Sequence, residues 1–100
     1  MIKSLKVGVA GLGTVGVALV AQVIREQEQL TGRCGRKIEI VAVCARSRAK
    51  NRGIDLKKMK WFSDPVALAR EPGIDVVVEL IGGAGGAALA TVEAALSSGK

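Results

Sequence analysis

The segment with the strongest structural consequence lies near the start of the chain, where three glycines follow an apolar run in the spacing G-x-G-x-x-G. The apolar run is residues 5–10, the glycine segment is Gly11-Leu12-Gly13-Thr14-Val15-Gly16, and an amphipathic stretch occupies residues 14–30. The spacing alone is a weak signal, but between a strand and a helix it is typical of dinucleotide-binding βαβ units. We therefore predict a strand, a tight turn and a helix whose N-terminus faces a pyrophosphate.

Each glycine of this turn has its own predicted role. Gly11 allows a sharp exit from the strand, Gly13 lets a pyrophosphate approach the main chain, and Gly16 lets the helix pack closely on the strand. The backbone N–H groups around Thr14 and Val15, together with the helix dipole, favour an anion at this position. The alternative interpretation is a turn that only joins a strand to a helix and binds no ligand.

Strand-like and helix-like patterns alternate along the rest of the chain. Their order, β-α-β-β-α-β-α, predicts an α/β fold of the Rossmann type, with three αβα layers and a mainly parallel sheet in strand order 3-2-1-4. We expect one domain over residues 1–100. Only two aromatic residues occur, Trp61 and Phe62, so we expect an aliphatic core with these two packed against it. The predicted strands are residues 5–10, 38–45, 60–63 and 74–81, the predicted helices are residues 14–30, 65–70 and 87–98, and the predicted loops include residues 31–37 and 46–58.

The predicted strand order places one ligand crevice between two glycine-rich turns. Doubly wound sheets bind ligands beyond the carboxyl ends of the strands, at the point where the strand order reverses, which here is between strands one and four. The turn after strand one is residues 11–16. The turn after strand four is residues 82–86, and it begins with Gly82 and Gly83. We expect the dinucleotide to lie between these two turns.

The residues after the second predicted strand indicate which dinucleotide binds. NAD-selective domains usually have an acidic residue there that hydrogen-bonds the adenosine ribose, whereas an arginine accommodates the 2′-phosphate of NADP. This chain has Arg46 and Ser47 at that place and no acid, and Lys57 follows later. We predict NADP as the cofactor, with NAD as the alternative, and Arg46, Ser47 and Lys57 as its phosphate ligands. The competing interpretation is a solvated basic loop.

Composition argues against several other function classes. The net charge is +6, with basic residues concentrated between residues 46 and 60, but no aromatic residues interleave with them, so we expect no nucleic-acid partner. No apolar run is long enough for a membrane span, and we expect no membrane association. The chain has no histidine, and its two cysteines lack the spacing of metal ligands, so we expect no metal site. Two unpaired thiols are typical of a cytoplasmic protein.

Three segments distributed along the chain indicate one enzyme family. They are Gly8-Val9-Ala10-Gly11-Leu12-Gly13-Thr14-Val15-Gly16, Asp75-Val76-Val77-Val78-Glu79-Leu80-Ile81-Gly82-Gly83 and Ala94-Ala95-Leu96-Ser97-Ser98-Gly99-Lys100. Together they resemble the N-terminal nucleotide-binding domain of homoserine dehydrogenases. The resemblance implies NAD(P)-dependent interconversion of L-homoserine and L-aspartate 4-semialdehyde, in the biosynthesis of threonine, methionine and isoleucine. It also implies that Gly82 and Gly83 lie near the nicotinamide.

The same resemblance places the family's catalytic lysine and acidic substrate-binding residues in a part that this sequence does not contain. We therefore expect the cofactor-binding part of a longer oxidoreductase, inactive alone and with no catalytic residue of its own. The alternatives are another NAD(P)-dependent dehydrogenase of an amino-acid-derived carbonyl compound, and a non-catalytic nucleotide-sensing module. We expect the longer enzyme to be a homo-oligomer, and this chain to self-associate through the apolar edge of its fourth strand.

Glu79 is the one carboxylate near the expected crevice. Strand alternation places it on the same face as Val77 and Ile81, so it is a charge on a largely apolar face. One interpretation is that it orients the following glycine turn or the cofactor. The other is a structural ion pair, or a carboxylate that reaches solvent at the strand end.

Overall fold

Four strands and four helices make up the part of the chain that the computed structural model describes, which is residues 3–45, 53, 56–81 and 86–100. In chain order they are β1 (Leu5–Ala10), α1 (Thr14–Arg25), α2 (Gln27–Cys34), β2 (Ile38–Cys44), β3 (Lys60–Phe62), α3 (Pro65–Arg70), β4 (Val76–Glu79) and α4 (Ala87–Ser97). All strand pairs are parallel, and the sheet order is β3-β2-β1-β4. The predicted α/β fold and strand order 3-2-1-4 are confirmed.

Helices cover the sheet on both faces, which produces the three predicted layers. On one face, α1 packs over β1 and β2, and on the other, α3 packs over β1, β2 and β3, while α4 packs on α3 and β4. Trp61 and Phe62 are half-buried and join the apolar clusters of opposite faces, as predicted. The largest fully buried side chains are Leu68, Val9, Val20, Val43 and Thr91. The core is therefore aliphatic, and Leu12, in the turn that follows β1, belongs to one of its clusters.

The predicted single helix over residues 14–30 is wrong, because the structure contains two helices there. Glu26 interrupts them with φ −106° and ψ 26°, and α2 then continues through Cys34, into the segment predicted as a loop. The Gln27 side chain donates a hydrogen bond to the Ile38 carbonyl (2.5 Å), and this contact attaches the start of α2 to β2. Near the end of α1, Ile24 is 49% exposed.

The fourth strand is shorter than predicted, spanning Val76–Glu79 instead of residues 74–81. Before the strand, the Asp75 carboxylate accepts a hydrogen bond from the Lys6 N–H (2.9 Å), and Ile74 is buried beside α3.

By contrast, the start of α3 agrees with its sequence signals. The Asp64 side chain accepts a hydrogen bond from the Val66 N–H (3.0 Å), and Pro65 occupies the first helical position, as a capped helix requires.

The two cysteines differ in exposure, and this difference predicts their reactivity. Cys34 is exposed at the end of α2, whereas Cys44 is buried at the end of β2. Burial, reinforced by the negative charge of Asp64, raises the pKa of the Cys44 thiol. Because the thiolate is the nucleophile, we expect a thiol-specific reagent to label Cys34 in the folded chain and Cys44 only after denaturation. Mass spectrometry of the labelled chain would show this, and equal labelling of both residues would contradict it.

Candidate functional site

The backbone turns sharply at Gly11, directly after β1. Its φ of +109° lies in the region that L side chains rarely adopt, and its N–H donates to the Cys44 carbonyl (2.9 Å) at the end of β2. A Cβ on Gly11 would lie 2.7 Å from the carbonyl carbon and oxygen of Leu80, and 3.0 Å from the Ile81 nitrogen. Gly11 is therefore needed for its conformation and also for its contact with the chain that follows β4.

Gly16 lies against the same turn from the side of α1. It is buried, and a Cβ there would lie 2.0 Å from the Gly11 carbonyl oxygen and 2.9 Å from its carbonyl carbon. The first turn of α1 therefore packs directly on the main chain of Gly11. This packing determines where the N-terminus of α1 lies relative to the end of β1.

The N-terminus of α1 is open to solvent. Gly13 is its N-cap, and the first helical hydrogen bond runs from the Val17 N–H to the Gly13 carbonyl (2.9 Å). Among the described residues, no side chain caps this end, and its first turn contains no acidic residue. Gly13, Thr14 and Val15 are exposed, and a Cβ on Gly13 would meet no atom within 4 Å. The N–H groups of this turn have no helical partner, so they are suited to an anion such as a pyrophosphate.

The end of β4 lies beside this turn. Glu79 pairs with Ala10 in the parallel register, and the Leu80 N–H donates to the Ala10 carbonyl (2.7 Å). The half-buried Glu79 side chain bends forward along its own strand, and its Oε1 accepts a hydrogen bond from the Ile81 N–H at 2.6 Å. The carboxyl ends of β1 and β4 thus form the adjacent walls of a crevice at the point where the strand order reverses, as strand order alone predicts.

Several predicted site residues fall outside the described part of the chain. Arg46, Ser47, Gly82 and Gly83 are all among the residues that the structure does not describe. Their described neighbours are informative, since Ala45 directly follows β2 and Ile81 lies beside Gly11. The described chain therefore reaches the carboxyl edge of the sheet directly before each of these segments.

Lys57 is placed in a different region. It is exposed in the turn that precedes β3, whose first residue pairs with Ala42. The adjacent Lys58 lines a cleft of about 300 Å³ together with Lys37 and Glu39, at the beginning of β2. This cleft lies toward the amino edge of the sheet, whereas residues 11–16 lie at its carboxyl edge. The structure therefore brings residues 11–16 and 79–81 together, whereas Lys57 lies in the turn that precedes β3.

The contact between Gly11 and the peptide that joins Leu80 to Ile81 is absent from the sequence-based predictions. The sequence signal for this contact was the predicted adjacency of strands one and four, which implies that the chain segments following them meet.

For the described residues, no group of three His, Cys, Asp or Glu side chains has an arrangement suited to a metal ion. None of the described helices has the length and apolarity needed to traverse a bilayer.

Comparison with known proteins identifies relatives whose similarity extends over almost the whole chain. Residues 11–100 match the family model described as "Homoserine dehydrogenase, NAD binding domain". The homoserine dehydrogenase of Neisseria gonorrhoeae is 39% identical over 98 residues, which is 98% of this chain and 22% of that protein. The homoserine dehydrogenase of Methylobacillus glycogenes is 40% identical over 81 residues, covering 81% of this chain and 20% of the relative. The chain therefore spans about a fifth of the length of these relatives.

Solved structures agree with this similarity. A homoserine dehydrogenase from Thiobacillus denitrificans superimposes with a TM-score of 0.84 at 35% identity, over 97% of this chain and 22% of that one. The homoserine dehydrogenase of S. aureus superimposes with a TM-score of 0.87 over 100% of this chain and 25% of that one. At 24% identity, the second similarity concerns the fold alone.

Proposed function

This chain belongs to the homoserine dehydrogenase family, in which it corresponds to the NAD-binding domain, and we propose that it is the cofactor-binding part of an enzyme that interconverts L-homoserine and L-aspartate 4-semialdehyde. With that reaction we infer a role in the biosynthesis of threonine, methionine and isoleucine. When bound, a nicotinamide dinucleotide supplies the hydride acceptor or donor of such a reaction. Since the chain spans about a fifth of its relatives, the reaction is proposed for a longer protein.

The observation that carries the proposal is the open space over Gly13 at the exposed N-terminus of α1. The Gly13 backbone there has no neighbouring atom where a Cβ would stand, so a phosphate group can reach the main chain. Backbone N–H groups of residues 13–15 would hold the pyrophosphate, and the α1 dipole favours its charge. Gly11 and Gly16 take no direct part, because their role is to hold these N–H groups in place through mutual contact.

We further propose that the dinucleotide is NADP rather than NAD, and that Arg46 and Ser47 bind its 2′-phosphate. The support is the position of these residues, directly after Ala45 at the carboxyl end of β2, and the absence of an acidic residue there. A guanidinium group binds phosphate through two parallel charge-assisted hydrogen bonds. Lys57 is a weaker candidate, because the turn before β3 lies toward the opposite edge of the sheet. On the carboxyl side of β4, we propose Gly82 and Gly83 as neighbours of the nicotinamide.

Calorimetric titration of this chain with NADPH and with NADH, at matched salt, tests the cofactor assignment. We expect NADPH to bind more tightly, and Arg46→Ala to weaken NADPH binding by about tenfold or more while leaving NADH binding unchanged. Arg33→Ala is the matched control, because it removes the same charge from an exposed position in α2. A preference for NADH would contradict the NADP assignment, and failure to bind either dinucleotide would contradict the binding function.

The proposed reaction is tested on the longer protein that contains this sequence. We expect homoserine-dependent reduction of NADP, followed by absorbance of the reduced nicotinamide, and no such activity from residues 1–100 alone. A longer protein that binds the dinucleotide and leaves homoserine unchanged would instead favour a dehydrogenase of another amino-acid-derived carbonyl compound.

Two further proposals concern the protein in its cell. Self-association of this chain is supported by the position of β4, which is the last strand of the described sheet and consists mostly of valine, since such an edge can pair with another strand. Sedimentation of this chain at increasing concentration tests it, and a constant monomeric mass would contradict it.

A cytoplasmic location is supported by the free thiols of Cys34 and Cys44, and cell fractionation tests it.

A further inference from the structure

The Glu79 carboxylate binds the main chain of its own segment instead of a basic side chain. Its Oε1 accepts the hydrogen bond from the Ile81 N–H at 2.6 Å. The one ion pair between described residues joins Lys60 and Glu71, so Glu79 has no basic side chain within ion-pairing distance in that part of the chain. The ion-pair interpretation of Glu79 is therefore not supported, and the orienting interpretation has a specific contact.

The peptide that Glu79 holds is the one that packs against Gly11. A Cβ on Gly11 would lie 2.7 Å from the Leu80 carbonyl carbon and 3.0 Å from the Ile81 nitrogen. That nitrogen is the donor of the hydrogen bond to Glu79. The Glu79 carboxylate therefore holds the peptide against which Gly11 packs.

Gly11 transmits this position to α1. The Gly11 carbonyl oxygen lies under Gly16, where a Cβ would approach it to 2.0 Å. The contacts therefore run from Glu79 through the Ile81 peptide and Gly11 to the first turn of α1. Main-chain groups in such close contact do not move independently, because packed interiors transmit small displacements.

We propose that Glu79 is a positioning residue for the dinucleotide. Its carboxylate fixes the peptide between Leu80 and Ile81 against Gly11, and this fixes the main-chain N–H groups at the N-terminus of α1. The inference rests on the proposed function, and it adds a residue that acts through the main chain of residues 80 and 81. A carboxylate is suited to this role because its oxygens accept hydrogen bonds from backbone N–H groups.

Two substitutions separate the hydrogen bond from the charge. Glu79→Gln retains an acceptor oxygen for the Ile81 N–H, and we expect NADPH affinity within about threefold of wild type. Glu79→Leu has similar size and no acceptor, and we expect NADPH affinity to fall about tenfold or more, because the Ile81 N–H loses its partner. Glu93→Leu, at an exposed position of α4, is the matched control for the loss of one charge and should bind as wild type does.

An NMR measurement on the wild-type chain provides a readout that a general packing role would not change. We expect the amide proton of Ile81 to exchange slowly with solvent in the wild-type chain and in Glu79→Gln, because each supplies an acceptor for this N–H group. The measurement needs no substitution that endangers folding, so it tests the inference even if Glu79→Leu does not fold.

The outcomes distinguish this inference from the proposed function. Wild-type affinity in folded Glu79→Leu, or a rapidly exchanging Ile81 amide proton in the wild type, would overturn the role of Glu79 and leave the binding function intact. An equal loss of affinity in Glu79→Gln and Glu79→Leu would also overturn it, because charge and not the hydrogen bond would then be responsible. If the wild-type chain binds neither NADPH nor NADH, it is the proposed function that fails.

Discussion

Gly16→Ala should strongly destabilise the folded chain, with a loss of about 3 kcal/mol in the free energy of unfolding. The added Cβ would lie 2.0 Å from the Gly11 carbonyl oxygen, and the atom it meets belongs to a main chain that cannot change rotamer. Gly11 has little room to move away, because the peptide between Leu80 and Ile81 lies on its other side. Urea denaturation followed by circular dichroism measures the change, which is a large part of the 5–15 kcal/mol typical of a domain.

Gly32→Ala is the matched control for Gly16→Ala. Gly32 also lies in a helix, α2, but a Cβ there would meet no atom within 4 Å. Alanine has the higher helix propensity, so Gly32→Ala should stabilise the chain by about 0.5–1 kcal/mol. If both substitutions change the urea midpoint in the same direction, the contact between Gly16 and Gly11 does not hold the turn together.

Gly13→Ala should have the opposite profile, with little change in stability and a loss of dinucleotide binding. The conformation of Gly13, φ −75° and ψ −162°, is one that alanine also adopts, and its Cβ would meet no protein atom within 4 Å. Loss of a favoured N-cap residue should cost less than about 1 kcal/mol of stability. The methyl group would occupy the space through which the pyrophosphate approaches, and we expect NADPH affinity to fall at least about tenfold, or about 1.4 kcal/mol.

Both halves of that expectation are measured on one preparation, by thermal unfolding without ligand and by calorimetric titration with NADPH. Gly32→Ala again serves as the control and should bind NADPH as wild type does, because Gly32 lies in α2, outside the turn of residues 11–16. A Gly13→Ala chain that is folded and binds NADPH normally would show that the pyrophosphate does not approach this turn.

Features that depend on local sequence were predicted well. Strand positions followed from apolar runs such as residues 5–10, and the predicted helix over residues 65–70 agrees with α3, because caps and side-chain period act within a few residues. Strand order 3-2-1-4 followed from the order of elements, since parallel crossovers allow few arrangements. The family resemblance rested on short segments around β1, around β4 and at the end of α4, and similarity over 98% of the chain supports it.

Features that depend on packing between distant segments were predicted less well. The helix over residues 14–30 has a continuous helical pattern, yet it breaks at Glu26, where the following residue bonds to β2. The pattern of β4 suggested eight residues, but only Val76–Glu79 form the strand. The residues on the two sides of each boundary have similar helix or strand preferences. The residue at which each element ends therefore depends on tertiary contacts.

The sequence by itself determined the element types, their order and the glycine turn, because these depend on side-chain period and on the backbone freedom of single residues. The tertiary structure alone decided which atoms of different strands and helices are in contact. Gly8 leaves the space into which Leu68 and Ile74 pack, and Gly11 rests on a peptide that Glu79 holds. Such contacts depend on how closely β1, β4 and α3 approach, and that distance results from packing the whole core at once.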